Sequence, residues 1–336
     1  MNPASTPLFR PDLDGLPQPD EAARQAVAER ASQVLRPGGA LERLDNLAVW
    51  LAGWQRNAAP DVVKPAVALF VGSHGVATER VSAYPATINR EMLQALRAGK
   101  ATAAVMARQL GAPLRVVDAG IDEPTGNLAR EPALTAQRFA AAWRLGQQTV
   151  ATLDCDILVV GEMGIANTTA AAATCAALFG GDPGSWTGRG TGIGDAALER
   201  KIGIVTTATR RIASETDPFE ILRQVGGAEM VALCSAVLAA RRRSLPVILD
   251  GFVVGAAVAP LHVAGGDALA HCLAGHVSAE AGHHRLLARL GIDPLLDLGM
   301  RLGEASGALV AMAVLRVAAA CVREVATFSE WEDAHR

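Results

Sequence analysis

The chain has 336 residues, 50% of them hydrophobic and 19% charged, so it can bury the core of one large domain and a smaller companion. Its 31 basic and 34 acidic residues give a formal charge of -3, which lacks the basic excess typical of nucleic-acid-binding proteins. The five cysteines are odd in number and widely spaced among apolar neighbours, so we interpret them as reduced core thiols.

Neither end of the chain suggests export or a membrane anchor. Residues 1–18 are rich in proline and polar side chains and have no apolar segment of the secretory type. The two most apolar stretches are 252–261, which is too short to span a bilayer, and 305–322, which Arg316 interrupts. We therefore expect a cytoplasmic protein that does not associate with membranes.

Helical and strand patterns alternate along the chain. The segment 21–55 predicts mostly helix with a Pro-Gly-Gly break at 37–39. Short runs of branched apolar residues then predict strands at 67–71, 114–117, 157–160 and 247–249. The segments between and after them predict helices at 91–110, 133–152, 168–179 and 228–241. The chain beyond the last strand is again helical in pattern.

This alternation predicts the fold class. Continuously apolar strands are typical of a parallel sheet that helices cover on both faces. We therefore predict an α/β protein with an open, doubly wound parallel sheet. Because both chain ends are helical, residues 1–60 and 304–336 are expected to pack together as a small helical domain beside a large domain of 61–303.

A glycine-containing loop follows the third predicted strand. Gly164 precedes Asn167 and Thr168, which open an alanine-rich helix. Free backbone N–H groups at such a helix start attract phosphate, although ordinary helix capping explains the same residues equally well. Glu162 favours a functional site, because a carboxylate at the mouth of a sheet is costly to bury without a purpose.

A second glycine cluster occupies 188–195 and contains Gly190, Thr191 and Gly192. Its backbone is suited to wrapping an anion, with Lys201 within reach, and the alternative is a flexible surface turn. No apolar strand precedes the cluster, which argues against a dinucleotide fingerprint. The chain also lacks a Walker A motif and the Gly-x-Ser-x-Gly elbow of serine hydrolases.

Histidines are concentrated near the C-terminus, but their spacing does not favour a metal site. We interpret them as structural residues and Ser278 as a hydrogen-bonding loop residue. The histidines concerned are His271, His276, His283 and His284.

Glu304 precedes a long apolar segment. A helix start lowers the pKa of a glutamate and apolar surroundings raise it, so in a pocket with Met300 and Leu302 this carboxylate is a candidate general base. The alternative is an exposed glutamate in the first helical turn, which the residues alone favour.

Taken together, the segments resemble one family, nicotinate-nucleotide:dimethylbenzimidazole phosphoribosyltransferase of cobalamin lower-ligand biosynthesis. The resemblance spans about residues 70–317 and rests on motifs in a fixed order. These are Ser-His-Gly-Val with Val-Ser-Ala-Tyr-Pro, Gly-Glu-Met-Gly-Ile-x-Asn-Thr-Thr, Gly-Arg-Gly-Thr-Gly, Gly-Gly-Ala-Glu-Met, and Arg-Leu-Gly-Glu-x-Ser-Gly-Ala.

The resemblance implies a reaction and a site. Glu304 falls on the family's catalytic base and Glu162 on a second active-site carboxylate near the ribose. The residues expected around the nucleotide and its phosphate are Gly164, Gly190, Thr191, Gly192, Lys201, Gly251 and Ser278. The substrates are nicotinate mononucleotide and a benzimidazole-type base, with no metal or cofactor, and the family implies a homodimer with a large Rossmann-like domain.

The resemblance also places an apolar base pocket near 81–85. Its expected residues are Ser82, Tyr84, Glu91, Met300 and Leu302. The chain departs from the family pattern at Ser73, where many members carry Asp, and at Glu91, where Gln usually stands. An additional carboxylate near the base favours a more polar acceptor. Two alternatives follow: a related phosphoribosyltransferase acting on a purine or phenol, and a non-catalytic nucleotide-binding homologue.

Overall fold

The computed structural model describes residues 9–336. Residues 1–8, which belong to the N-terminal segment discussed above and to the predicted small domain, lie outside this range. Six parallel strands form one sheet in the order β2-β1-β3-β4-β5-β6. The strands are β1 (Pro65–Val71), β2 (Leu114–Asp118), β3 (Ile157–Met163), β4 (Val247–Leu249), β5 (Cys272–His276) and β6 (Pro294–Leu296).

Thirteen helices surround the sheet within the described range, together with two short 3-10 turns. The N-terminal helices are α1 (Glu21–Gln33), α2 (Glu42–Gln55), α3 (Ile88–Arg97), α4 (Thr102–Gln109), α5 (Ala136–Ala151) and α6 (Asn167–Phe179). The remaining helices are α7 (Asp195–Arg211), α8 (Pro218–Val225), α9 (Ala228–Arg242), α10 (Phe252–Ala264), α11 (Ala281–Leu290), α12 (Ser306–Arg323) and α13 (Phe328–Ala334).

The predicted α/β class and the four predicted strands are confirmed. One predicted helix, 91–110, is wrong as a single element, because α3 ends before Gly99 and α4 begins at Thr102. Gly99 has a φ of +72°, a left-handed conformation that glycine adopts readily and that terminates a helix. Strands β5 and β6 were not predicted: β5 carries a glycine and ends in a histidine, and β6 has only three half-buried residues.

Alternate residues of β1 contribute to two separate apolar layers. Ala66, Ala68 and Phe70 belong to the core under α5, α6, α9 and α10. Val67, Leu69 and Val71 belong to the core under α3, α4 and α12. A strand projects successive side chains to opposite faces, so a run that is apolar throughout is buried on both sides.

The chain ends meet in a small cluster in which Val27 of α1 and Ala48 of α2 pack with Val322 of α12. Helix α12 also packs against β3 and β5, so it contributes to the main core. It is the one helix of the described chain long and apolar enough to span a membrane, but it lies within the core and 56% of its residues are buried. The division into domains at residues 60 and 303 stays a prediction.

Two glycines in the strands allow α12 to approach the sheet closely. A Cβ built on Gly161 of β3 would lie 2.6 Å from the Cβ of Ala305, and one built on Gly275 of β5 would lie 2.7 Å from the Cα of Ala308. Atoms this close cannot coexist without a backbone shift. The start of α12 is therefore held against the carboxyl ends of β3 and β5.

We predict that Gly161→Ala lowers the free energy of unfolding by about 1 to 3 kcal/mol, because the added methyl group overpacks the contact with Ala305. Chemical denaturation measures the change. Gly203→Ala is the control, because Gly203 lies within α7 and has nothing within 4 Å of its added Cβ. It is expected to stabilise the protein by about 0.5 to 1 kcal/mol. Equal effects in the two variants would contradict the close approach of α12.

Candidate active site

A cavity of about 570 Å³ opens at the carboxyl ends of the strands. Residues that follow β1, β3, β4 and β5 line it. The chain passes from β1 outward to β2 and then back to β3 on the other side of β1, so β1 and β3 flank the point where strand order reverses. Ligands bind at this point in open α/β sheets.

Glu162 lies near the end of β3 and is only 6% exposed. Its Oε2 accepts a hydrogen bond from the side-chain amide of Asn167 at the start of α6. Burial raises the pKa of Glu162 to about 8, and the nearby carboxylates of Asp250, Glu229 and Glu304 add to the shift. At neutral pH the carboxyl group therefore carries a proton for most of the time in the empty site.

Glu304 also lines the cavity and is 4% exposed, which rules out the alternative of an exposed first-turn glutamate. Helix α12 begins at Ser306, so Glu304 precedes the helix and does not belong to its first turn. Its Oε2 accepts a long hydrogen bond, 3.4 Å, from the backbone N–H of Ala103 in α4. Burial raises the pKa of Glu304 and the charge of Asp250 adds to this, while the Ala103 hydrogen bond opposes it.

The backbone at Glu304 is unusual. Glu304 and Ala305 have φ values of 59° and 60°, a left-handed conformation that is unfavourable for residues with a Cβ. The backbone N–H of Glu304 donates to the carbonyl of Glu162 at 3.0 Å, and those of Gly307 and Ala308 donate to Oδ1 of Asp250 at 2.9 and 3.0 Å. These contacts hold the turn and aim the carboxylate into the cavity.

One end of the cavity has the features of an anion site. Gly164 and Thr168 near the N-terminus of α6 line the cavity there, together with Gly190 and Thr191 of the second glycine cluster. Behind them, Nζ of the fully buried Lys201 donates to the hydroxyl of Thr168 and the carbonyl of Gly188, both at 2.9 Å. Desolvation lowers the pKa of Lys201 to about 8, so an anion here would favour its charged form.

Gly251 and Ser278 line the cavity beside this end, at the start of α10 and after β5. The backbone N–H of Ser278 donates to Nδ1 of His283 at 2.7 Å. Burial lowers the pKa of His283 to about 3, so its ring is neutral and able to accept this hydrogen bond. The histidine thus serves the loop structure, as predicted from its spacing. Gly192 lies in the same loop as Gly190 but not on the cavity wall.

Another part of the cavity wall consists of Ser82, Tyr84 and Leu302 together with the apolar side chains of Ile88 and Met92. The hydroxyl groups of Ser82 and Thr191 lie 2.9 Å apart, which joins the predicted base loop to the glycine cluster. This wall combines apolar side chains with few polar groups.

Besides Gly192 and Lys201, three residues singled out from the sequence lie outside the cavity wall. Glu91 is exposed on α3, and Met300 is half-buried and accepts a backbone hydrogen bond from Ala279 at 2.9 Å. Ser73 is buried and donates to the carbonyl of Ile121 at 2.8 Å. The acidic side chains on the wall are Glu162, Glu280 and Glu304, and the extra carboxylate of Glu91 does not join them.

Sequence reasoning missed Asp250, Glu280 and Arg301 as site residues. Asp250 directly follows β4, and ligand-binding residues are expected at the carboxyl ends of parallel strands. Its position in the sequence could therefore have identified it. Arg301 and Glu280 line the cavity although neither follows a predicted strand directly. Only the folded chain brings their loops to the same edge of the sheet.

Comparisons with known proteins show the family. The phosphoribosyltransferase family matches residues 16–332. A relative from Cereibacter sphaeroides, named nicotinate-nucleotide–dimethylbenzimidazole phosphoribosyltransferase, is 48% identical over 96% of this chain and 95% of its own. One of the same name from Ruegeria pomeroyi is 46% identical over 98% of both chains. The chain belongs to this phosphoribosyltransferase family.

Solved structures extend the agreement to three dimensions. The crystal structure of CobT from Thermus thermophilus superposes with a TM-score of 0.88 at 35% identity, over 93% of this chain and 98% of that one. As a member of the family, the protein is an enzyme of the pentosyltransferase class, in agreement with the resemblance drawn from its motifs.

We predict that Glu162→Gln stabilises the phosphoribosyltransferase in mildly alkaline solution. Because the folded-state pKa of about 8 lies above the ordinary value of 4.5, the contribution of Glu162 to stability is complete below 4.5 and is lost as the pH rises through about 8. An amide of the same shape does not ionise. At about pH 8.5 its melting temperature should exceed that of the wild type by on the order of 2 to 4 °C.

The matched control is Glu199→Gln, since Glu199 is exposed on α7 and its removal changes the net charge equally. It should leave the melting temperature unchanged. A Glu162→Gln protein that melts at a lower temperature than the wild type at about pH 8.5 would contradict the buried, protonated state of Glu162.

Proposed function

We propose that this enzyme transfers the phosphoribosyl group of nicotinate mononucleotide to 5,6-dimethylbenzimidazole, giving α-ribazole 5′-phosphate and nicotinate. The observation that carries the proposal is the buried carboxylate of Glu304, which faces a cavity whose wall combines an anion-type site with apolar surface. The names of the two relatives agree with this pair of substrates.

The donor phosphate is assigned to the end of the cavity formed by the glycine loops. Backbone N–H groups at a helix start bind phosphate well, and Gly164 and Gly190 allow a ligand to approach the backbone. The ammonium group of Lys201, behind Thr168 and Gly190, supplies the compensating charge. Gly251 and Ser278 close the same end of the site.

The reaction is a displacement at the anomeric carbon of the ribose. Glu304 accepts the proton of one benzimidazole nitrogen while the other nitrogen forms a bond to this carbon. The bond from the carbon to the pyridinium nitrogen breaks, and its electron pair returns to that nitrogen, so the ring leaves without a general acid. Attack on the face opposite the leaving ring inverts the anomeric centre, which gives the α-riboside.

Glu162 is assigned to the ribose, next to the positive charge that develops during transfer. A bound pyridinium or an oxocarbenium-like centre favours the ionised form of a carboxyl group whose pKa lies at about 8 in the empty site. The empty enzyme therefore keeps the carboxyl group of Glu162 mostly neutral, and the cationic pyridinium ring of the donor favours its ionised form. This coupling strengthens binding where the positive charge is greatest.

The acceptor is assigned to the wall near Ser82 and Tyr84, where Ile88, Met92 and Leu302 present apolar surface. A flat, largely apolar base such as dimethylbenzimidazole suits this wall. The polar acceptor inferred from Glu91 loses its basis, because that side chain is exposed and off the cavity wall. We further expect a cytoplasmic homodimer with a separate small helical domain, as the family resemblance implies.

We predict that Glu304→Gln lowers kcat by about 10²- to 10³-fold, because the amide keeps the shape of the side chain but cannot accept the proton. Release of nicotinate in the presence of dimethylbenzimidazole measures the rate. Glu199→Gln, at an exposed position with the same change of charge, should remain fully active. Near-normal turnover by Glu304→Gln would remove the proposed base, and no nicotinate release by the wild type would refute the proposed reaction.

The pH dependence provides a further test. Since the pKa of Glu304 is raised from its ordinary value of 4.5, kcat/KM of the wild type should fall as the pH drops through a value above 4.5. This acidic limb reports loss of the ionised base. It should flatten in Glu304→Gln, and an identical limb in both proteins would assign it to another group.

A further inference from the structure

The charges on the cavity wall are unbalanced. Three carboxyl groups, those of Glu162, Glu280 and Glu304, line it, and within residues 9–336 Arg301 is the one arginine or lysine on its wall. The proposed donor carries two anionic groups, its phosphate and the carboxylate of its pyridine ring. An anion in an acidic cavity is repelled unless a cation or a set of N–H groups receives it.

The two anionic groups need different partners, because the pyridine ring and the phosphate extend from different carbons of the ribose. The glycine loops, the start of α6 and Lys201 form one anion site and account for the phosphate. Lys201 is fully buried behind Thr168 and Gly188, so its ammonium group does not also reach a second anion on the cavity wall. The ring carboxylate remains without a partner in this arrangement.

Arg301 has the position and the free donors for that role. Its Nη1 donates to the carbonyl of Gly190 at 3.1 Å, a neutral partner that fixes the side chain but leaves its charge unbalanced. Within residues 9–336 no carboxylate forms a salt bridge with it, whereas Arg189 of the neighbouring glycine cluster is paired with Asp195. Its Nη2 lies close to Gly192, 4.0 Å from a Cβ built there, and remains available to a ligand.

We propose, on the basis of the function proposed above, that Arg301 binds the carboxylate of the nicotinate ring and selects nicotinate mononucleotide over its carboxamide analogue. A guanidinium group matches a carboxylate in geometry and charge. A carboxamide has no charge and offers Arg301 one acceptor oxygen in place of two, because its NH2 group cannot accept. Nicotinamide mononucleotide therefore leaves the guanidinium group without a charged partner. A mismatch of this kind gives strong discrimination between substrates.

The test compares two donors in wild type and Arg301→Gln, with dimethylbenzimidazole as acceptor. For nicotinate mononucleotide, the variant should lose about 10- to 100-fold in kcat/KM, mainly through KM, because a charge-assisted hydrogen bond is removed. For nicotinamide mononucleotide, kcat/KM should change less than about twofold. The preference between donors therefore collapses, and Arg301→Lys should restore part of it.

Arg200→Gln is the control, because Arg200 is exposed on α7, off the cavity wall, and its loss changes the net charge equally. It should keep the wild-type preference. An equal loss with both donors would overturn the proposal, since Arg301 would then act on the shared phosphate or on the loop at Gly190. Unchanged kinetics with both donors would overturn it as well.

Calorimetric titration separates this proposal from the proposed function. Free nicotinate should bind the wild type at least about tenfold more tightly than it binds Arg301→Gln, and nicotinamide should not distinguish the two proteins. This holds whether or not transfer to dimethylbenzimidazole occurs. A wild type that binds nicotinate but makes no product would refute the proposed reaction alone, and equal nicotinate binding by the two proteins would refute the role of Arg301.

Discussion

The backbone N–H groups of Gly307 and Ala308 both donate to one oxygen of Asp250, and this buried contact fixes where α12 begins. Upstream of it, Glu304 and Ala305 occupy left-handed conformations that cost on the order of 1 to 3 kcal/mol each. Such a turn persists only where its surroundings hold it. On the side of the sheet, the carbonyl of Glu162 accepts a hydrogen bond from the backbone of Glu304, and Gly161 of β3 leaves room for Ala305. The site carboxylate and the sheet are therefore one structural unit.

The same unit concentrates buried acidic side chains. Glu162, Glu229, Asp250 and Glu304 are all buried near the ends of the central strands. Asp250 and Glu229 add to the burial that raises the pKa of Glu162, and Asp250 does the same for Glu304. An assembly of this kind is costly in the empty protein. It becomes favourable when a cationic group enters the cavity, such as the pyridinium ring of a nucleotide or an oxocarbenium-like centre. These side chains therefore lower the stability of the empty fold while they favour the binding of a positively charged group.

Much of the framework could be predicted because its signals are local. A run such as 157–160 is apolar throughout, so it can only be stable with both faces covered, and that requirement leads directly to a parallel sheet. Gly99 also indicates a helix break, but the apolar pattern around it favoured a single helix over 91–110. β5 was missed because its residues gain their strand character from the neighbours β4 and β6, which lie beside it only in the folded chain.

The sequence by itself determined the strands, most helices and the family, since ordered motifs and apolar runs are properties of contiguous residues. Tertiary structure alone decided that Glu304 is buried rather than exposed, that Glu91 and Ser73 lie off the cavity wall, and that Arg301 lies beside Gly190. Burial and electrostatic surroundings depend on segments more than a hundred residues apart, such as Gly190 and Arg301. No local pattern records which of those segments will meet.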